Sequence, residues 1–164
     1  MNEIQVVAIT GTNRGLGRAL ALSFASQGAH VVLHARSSVA LESVSAEALS
    51  CGAASVTEVV GDLLDPELGD RLARACLDNH GRLDTIILNA AILGPMLPLA
   101  ETPMDIFARV MRTNVDAQIP LVSSVLPMMR SRGTGKIVWL SSGLGRFGLP
   151  GMAYIARRNT PWKG

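Results

Sequence analysis

Residues 4–17 read IQVVAITGTNRGLG. The apolar run of Ile4, Val6, Val7, Ala8 and Ile9 predicts a short buried strand. It leads into Thr10-Gly11-Thr12-Asn13-Arg14-Gly15-Leu16-Gly17, where a helical pattern opens at Leu16. A strand, a glycine turn and a helix N-terminus make a cradle for a pyrophosphate. Glycines let the backbone come close, and unpaired N–H groups with the helix dipole favour the anion. The spacing Gly-x-x-x-Gly-x-Gly differs from the Gly-x-Gly-x-x-Gly dinucleotide fingerprint. By itself it also reads as a tight strand-to-helix turn, so the rest of the chain has to choose.

Outward from this stretch, strands and helices alternate. Leu16, Leu20, Phe24 and Gln27 lie at helical spacing, and Gly28 stops that helix. His30–Ala35 (HVVLHA) reads as a second buried strand. Residues 40–50 read as a helix with Leu41, Val44, Ala48 and Leu49 inward, and Ser55–Val60 as a third strand. Asp65-Pro66-Glu67 predicts a helix start, with an acid at the N-cap and proline at the first helical position. That helix runs to about Asn79 with Leu68, Leu72, Ala75 and Cys76 inward, and Thr85–Leu88 (TIIL) is a fourth strand. From Pro103 a long stripe carries Phe107, Val110, Met111, Asn114 and Val115, and Pro120 is expected to bend it before residues 121–129. Residues 136–140 (KIVWL) make a fifth strand ending in Ser141-Ser142. Such alternation predicts an α/β fold: a Rossmann-type, doubly wound parallel sheet in the order 3-2-1-4-5 with helices on both faces. The 164 residues read as a single domain.

Composition narrows the function. A net charge of +2, dispersed along the chain, and 4% aromatic residues give no case for nucleic acid. No apolar run reaches transmembrane length and no basic-then-apolar leader opens the chain, so no membrane contact and a cytoplasmic location are expected. Cys51 and Cys76 lie 25 positions apart, without Cys-x-x-Cys or a histidine at ligand spacing. Two reduced, mostly buried thiols and no metal site are therefore expected.

In such a sheet, ligands gather at the carboxyl ends of the strands, beside the reversal between the first and fourth. There the chain offers the glycine loop, Arg36, Gly61-Asp62, Asn89 and Ser141-Ser142. Arg36 lies 19 residues beyond Gly17, near the spacing of the acid that grips a ribose 2′-hydroxyl, and no acid stands there. A cation suits a 2′-phosphate and Arg14 adds a second, so NADP(H) is expected in preference to NAD(H). The plainer reading of Arg36 is a solvated strand-end charge. Asp62 is placed either to bond an adenine amino group or to shape the turn before Asp65. Asn89 either lines the groove with its backbone or caps its strand. Asn114, on an apolar stripe, needs partners for its amide from backbone or an ordered water, and either is compatible with a proton relay.

Tyr154 is the single tyrosine, 12 residues after Ser142. A phenol of pKa about 10 is a useful acid near neutrality only beside a cation. There it can protonate a carbonyl oxygen as hydride arrives, while a serine hydroxyl holds that oxygen. A packed tyrosine and a strand-capping serine are the alternative.

Together these residues resemble the short-chain dehydrogenase/reductase family, from Gln5 to Tyr154. Residues 10–17 are similar to its cofactor loop, which implies cofactor contacts at Gly11, Thr12, Asn13, Arg14, Gly15, Leu16 and Gly17, with Arg36. Asp62, with Leu63, resembles its adenine contact. Asn89-Ala90-Ala91 resembles its Asn-Ala-Gly motif, with alanine in the glycine's place. The resemblance implies Asn114, Ser142 and Tyr154 as catalytic residues. Ser142 is preferred to Ser141 because Ser142-x-x-Gly145 matches the family pattern. It also implies NAD(P)(H) and hydride transfer to or from a small carbonyl or alcohol. The departure is Tyr-x-x-x-Lys, for here Arg158 stands at the lysine position, and arginine keeps the charge without shuttling a proton.

The chain stops six residues later, ahead of the family's next helix and last two strands. A C-terminally truncated member is therefore expected, its full-length form a homo-oligomer. The last seven residues can be encoded AGA-AAC-ACG-CCG-TGG-AAG-GGN. From the last base of the first codon the same bases read Lys-His-Ala-Val-Glu-Gly, which is the family's expected continuation, so a frame shift near codon 157 is expected. The competing expectation is a catalytically silent fragment that binds dinucleotide or a partner subunit. A serine hydrolase fits poorly, since Ser142 lacks the Gly-x-Ser-x-Gly setting and no histidine or acid follows it.

Overall fold

A computed structural model describes residues 4–142. Its strands are β1 (Val6–Thr10), β2 (His30–Ala35), β3 (Ser55–Val60), β4 (Thr85–Leu88) and β5 (Lys136–Trp139). They pair in parallel in the order β3-β2-β1-β4-β5, as expected. The helices are α1 (Gly15–Ala25), α2 (Ser38–Ser50), α3 (Leu68–His80), α4 (Met104–Met111) and α5 (Gln118–Arg132). Alternate side chains of β1 enter opposite cores. Val6 and Ala8 join Leu72, Cys76, Leu121 and Val125 of α3 and α5, whereas Val7 and Ile9 join Ala21, Ala25, Leu41 and Val44 of α1 and α2. Burial on both faces is why β1 and β2 read as near-continuous apolar runs, broken in β2 only by His30 and His34.

The helices correct several expectations. Leu16 is 58% exposed, and the α1 residues buried against the sheet are Gly17, Ala21 and Ala25. The helix lies too close to β1 for larger side chains, a constraint that hydrophobic size does not reveal. Leu49 of α2 is likewise exposed. The third helix begins at Leu68, because Asp65 caps the turn before it: Oδ1 accepts the Glu67 N–H at 2.9 Å and the carbonyl accepts the Leu68 N–H at 3.1 Å. Cys51 is exposed after α2, whereas Cys76 is buried and its thiol is pushed up to about 12 by burial.

The expected long helix is in three pieces. Between α4 and α5, Arg112–Asp116 form one π-helical turn, closed by the Ala117 N–H to the Arg112 carbonyl at 2.8 Å. The interruption thus precedes Pro120, which sits in the first turn of α5, where a missing N–H removes no intrahelical bond. Among the described residues, no helix is long and apolar enough to cross a membrane.

At the amino edge of the sheet, Asp84 ties three elements together. Its carboxylate accepts the Val6 N–H at 2.8 Å, Arg82 Nε and Nη2 at 3.1 and 2.9 Å, and Arg132 Nη1 of α5 at 2.9 Å. Burial alone would raise its pKa, but the Val6 N–H and the two guanidinium groups outweigh burial and hold it below the usual carboxylate range. The folded chain therefore binds this proton less readily than the unfolded chain. The stabilisation is complete above about pH 5 and is lost as the pH falls through and below about pH 4. Asp84→Asn is expected to cost about 2 kcal/mol at neutral pH. Urea midpoints measured against pH should also show a shallower acid-side loss than in the wild type.

Candidate functional site

The glycine loop and the carboxyl ends of β2, β3 and β4 enclose a cleft of about 390 Å³, a volume in the range of small-ligand sites. Its construction starts at buried Thr10, whose Oγ1 accepts the N–H groups of Asn89 and Ala90, each at 3.0 Å. Asn89 Nδ2 donates in return to the carbonyls of Thr10 at 2.9 Å and Gly11 at 3.1 Å. From the other side, the His34 carbonyl accepts the Gly11 N–H at 2.9 Å, the Thr12 N–H at 3.0 Å and Thr12 Oγ1 at 3.3 Å. The loop is thereby pinned between β2 and β4. Gly11 takes φ +74°, and a Cβ there would lie 2.9 Å from the Ala90 Cα, so glycine is required on two counts.

The positive end of α1 faces this cleft. Arg14 occupies the N-cap without a side-chain capping bond, and the first turn carries no acid. Among the described residues, the lining includes Arg14, Arg36 and Arg109, three cations against one carboxylate, that of Asp62. Such a balance suits a polyanion.

The π-helical turn sets the far wall. Widening the helix by one residue turns Asn114, 2% exposed, toward the segment after β4. Its Nδ2 donates to the Ile92 carbonyl and its Oδ1 accepts the Ile92 N–H, both at 2.8 Å, pairing like a short piece of sheet. Gln118 Nε2 donates to the carbonyls of Ala90 at 3.2 Å and Thr113 at 3.3 Å, fastening the same turn to the same edge. Ser142 is half-buried just beyond β5, at the sheet edge where the Leu140 N–H meets the Leu88 carbonyl at 3.1 Å.

A family model described as short chain dehydrogenase matches residues 5–156. The chain belongs to that family. It is 36% identical over 132 residues to 1-deoxy-11-beta-hydroxypentalenate dehydrogenase of Streptomyces exfoliatus, covering 80% of this chain and 48% of that protein. Xylitol dehydrogenase with bound NAD+ superposes with a TM-score of 0.89 at 28% identity, over 94% of this chain and 59% of that one. A short chain dehydrogenase from Shigella flexneri, complexed with NADP, superposes with a TM-score of 0.87 at 29% identity, over 94% of this chain and 66% of that one. The chain thus spans about half the length of the curated relative and about two thirds of the Shigella structure.

In this member of the short-chain dehydrogenase family, the cleft brings together Gly11, Asn13, Arg14, Gly15, Leu16, Arg36, Asp62, Leu63, Asn89 and Ala90. Thr12 and Gly17 build the loop without lining the cleft, since Thr12 is turned to the His34 carbonyl and Gly17 is packed against Gly11 and Asn89. Asp62 shapes its turn, Oδ1 accepting the Leu64 N–H at 2.9 Å, and also faces the cleft. Tyr154, Arg158 and Gly145 lie outside the described residues. Among the contributors that the sequence reading does not name as site residues, four stand out: Thr10, His34, Arg109 and Gln118. Thr10, directly before the first loop glycine, was the most findable, because a hydroxyl at a buried strand end needs partners. Long-range contacts alone reveal the other three.

Proposed function

We propose that this chain binds NADP(H) in preference to NAD(H) and serves hydride transfer between that cofactor and a small carbonyl or alcohol substrate. The observation that carries the reading is Arg36, exposed and lining the cleft just past β2 together with Arg14, where the strand end itself carries no acid. A guanidinium fork matches a 2′-phosphate, whereas an NAD-selective site would present a carboxylate to the ribose hydroxyls. The glycine loop and the α1 N-terminus take the pyrophosphate, and Asp62 and Leu63 frame the adenine. The bound dinucleotide supplies or accepts the hydride. Ser142 holds the substrate oxygen, Tyr154 gives or takes its proton, and Asn114 orders a proton relay. Arg36→Ala is expected to weaken NADPH binding at least about tenfold and NADH binding far less. Titration of nicotinamide fluorescence reads both, and an equal loss for the two cofactors overturns the preference.

Arg158 at the family's lysine position favours a second reading, a catalytically silent chain that binds dinucleotide or a partner subunit. NADPH oxidation by this chain over a panel of ketones, abolished in Tyr154→Phe, removes that reading. Binding without turnover supports it.

A further inference from the structure

His34 stands next to last in β2, is 1% exposed, and lines the cleft. It reaches both ways. Its carbonyl holds the glycine loop through Gly11 and Thr12. Its Nε2 lies 3.0 Å from the carbonyl of Gly61, the residue that opens the Asp62-Leu63 wall. A carbonyl only accepts, so Nε2 carries the proton and Nδ1 is a bare acceptor, buried and without a partner among the described residues. The Gly61 N–H meanwhile bonds the Ala35 carbonyl at 3.0 Å. One residue therefore joins the phosphate side of the cleft to its adenine side.

We infer that neutral His34 is a positioning residue for the dinucleotide, and that a proton on its buried Nδ1 drives the imidazole from its seat, which breaks the Gly61 contact and weakens binding. This rests on the dinucleotide reading of the cleft. A second proton would land on Nδ1, which has no acceptor there, in a place shut off from water. The charged groups around it offer little relief. Asp62 at the end of β3 favours the charge, while Arg71 of α3, itself paired with Asp65 at 2.8 Å, opposes it. Arg36, Arg14 and Arg109 line the same cleft from β2, the loop and α4. β1 and β4 present Thr10 and Asn89, neither of which titrates. Burial is the largest influence and keeps the imidazole below its ordinary pKa, with the Gly61 carbonyl and Asp62 opposing it. The neutral form therefore prevails at neutral pH, and the loss sets in only on the acid side of the ordinary histidine range.

The test is NADPH and NADH titration of the whole chain from about pH 8 to pH 5, in wild type, His34→Gln and His34→Leu. Wild-type affinity is expected to hold above about pH 7 and to fall roughly threefold or more by pH 5. The same fall with NADH rules out the 2′-phosphate as its source. His34→Gln keeps an N–H for the Gly61 carbonyl but has nothing to titrate, so it should recover most of the affinity that His34→Leu loses and show a flat profile. A wild-type slope in His34→Gln, or a flat wild type, overturns the inference and leaves the dinucleotide reading standing. Absence of binding of either dinucleotide at every pH overturns both. Should His34→Leu fail to fold, the slopes of wild type and His34→Gln decide.

Discussion

Gly17→Ala is expected to abolish dinucleotide binding and to lower folding stability by about 3 kcal/mol. A Cβ at this position runs into the Gly11 carbonyl and the Asn89 amide. Neither can yield. Gly11 is held by the His34 carbonyl, and Asn89 Nδ2 by the carbonyls of Thr10 and Gly11. The only relief is for α1 to lift off β1, which carries Arg14, Gly15 and Leu16 out of the cleft. Urea unfolding and NADPH titration read the two effects separately. Gly15→Ala is the stability comparison: its φ is +58°, but among the described residues nothing lies within 4 Å of an added Cβ. It should cost only about 1 kcal/mol, from the left-handed backbone alone. A wild-type midpoint and affinity in Gly17→Ala would show that α1 is not seated on the loop.

Asn114→Leu is expected to cost about 2–4 kcal/mol, because it strands both the N–H and the carbonyl of Ile92. The cleft wall carried by Ile92 and Thr113 should loosen with it, weakening dinucleotide binding as well as any turnover. Asn114→Asp separates shape from charge. Its carboxylate still accepts the Ile92 N–H but faces the Ile92 carbonyl without a proton, in a buried place. Burial raises the folded-state pKa of the new carboxyl above its unfolded value. Its deficit against wild type should therefore be smallest at acid pH and grow as the pH rises through that folded value. Paired urea melts across pH check this, and a deficit independent of pH would mean that the amide does not bridge Ile92 as described.

Legibility in the sequence followed the range of the interaction concerned. The strands β1 to β4 and the sheet order came from runs of β-branched residues bounded by glycine, acid and helix signals, all local. Errors arose where two distant segments negotiate a distance. On α1, Leu16 and Leu20 outrank Ala21 and Ala25 in hydrophobicity, yet the close approach to β1 selects Gly17, Ala21 and Ala25 for the buried face. At the π-helical turn, Pro120 is the strongest local breaker, yet the interruption falls earlier, where Asn114 bonds Ile92 and Gln118 bonds Ala90. Asn114 was legible as a buried amide in need of partners, but Ile92 as its partner was not.

The sequence by itself determined the alternating strand and helix pattern, the glycine loop entering a helix N-terminus, and the row of polar residues at the strand ends. Each is a statement about neighbours in the chain, where backbone geometry imposes periods of about 3.6 or 2 residues. Only the tertiary structure decided which of those polar residues line the cleft and which hold it together. Thr10 is committed to Asn89 and Ala90, His34 to the loop and Gly61, and Asp84 to Val6, Arg82 and Arg132. The physical reason is that a buried polar atom must find a partner wherever the fold brings one, and most of these partners lie tens of positions away in the chain, beyond any local pattern.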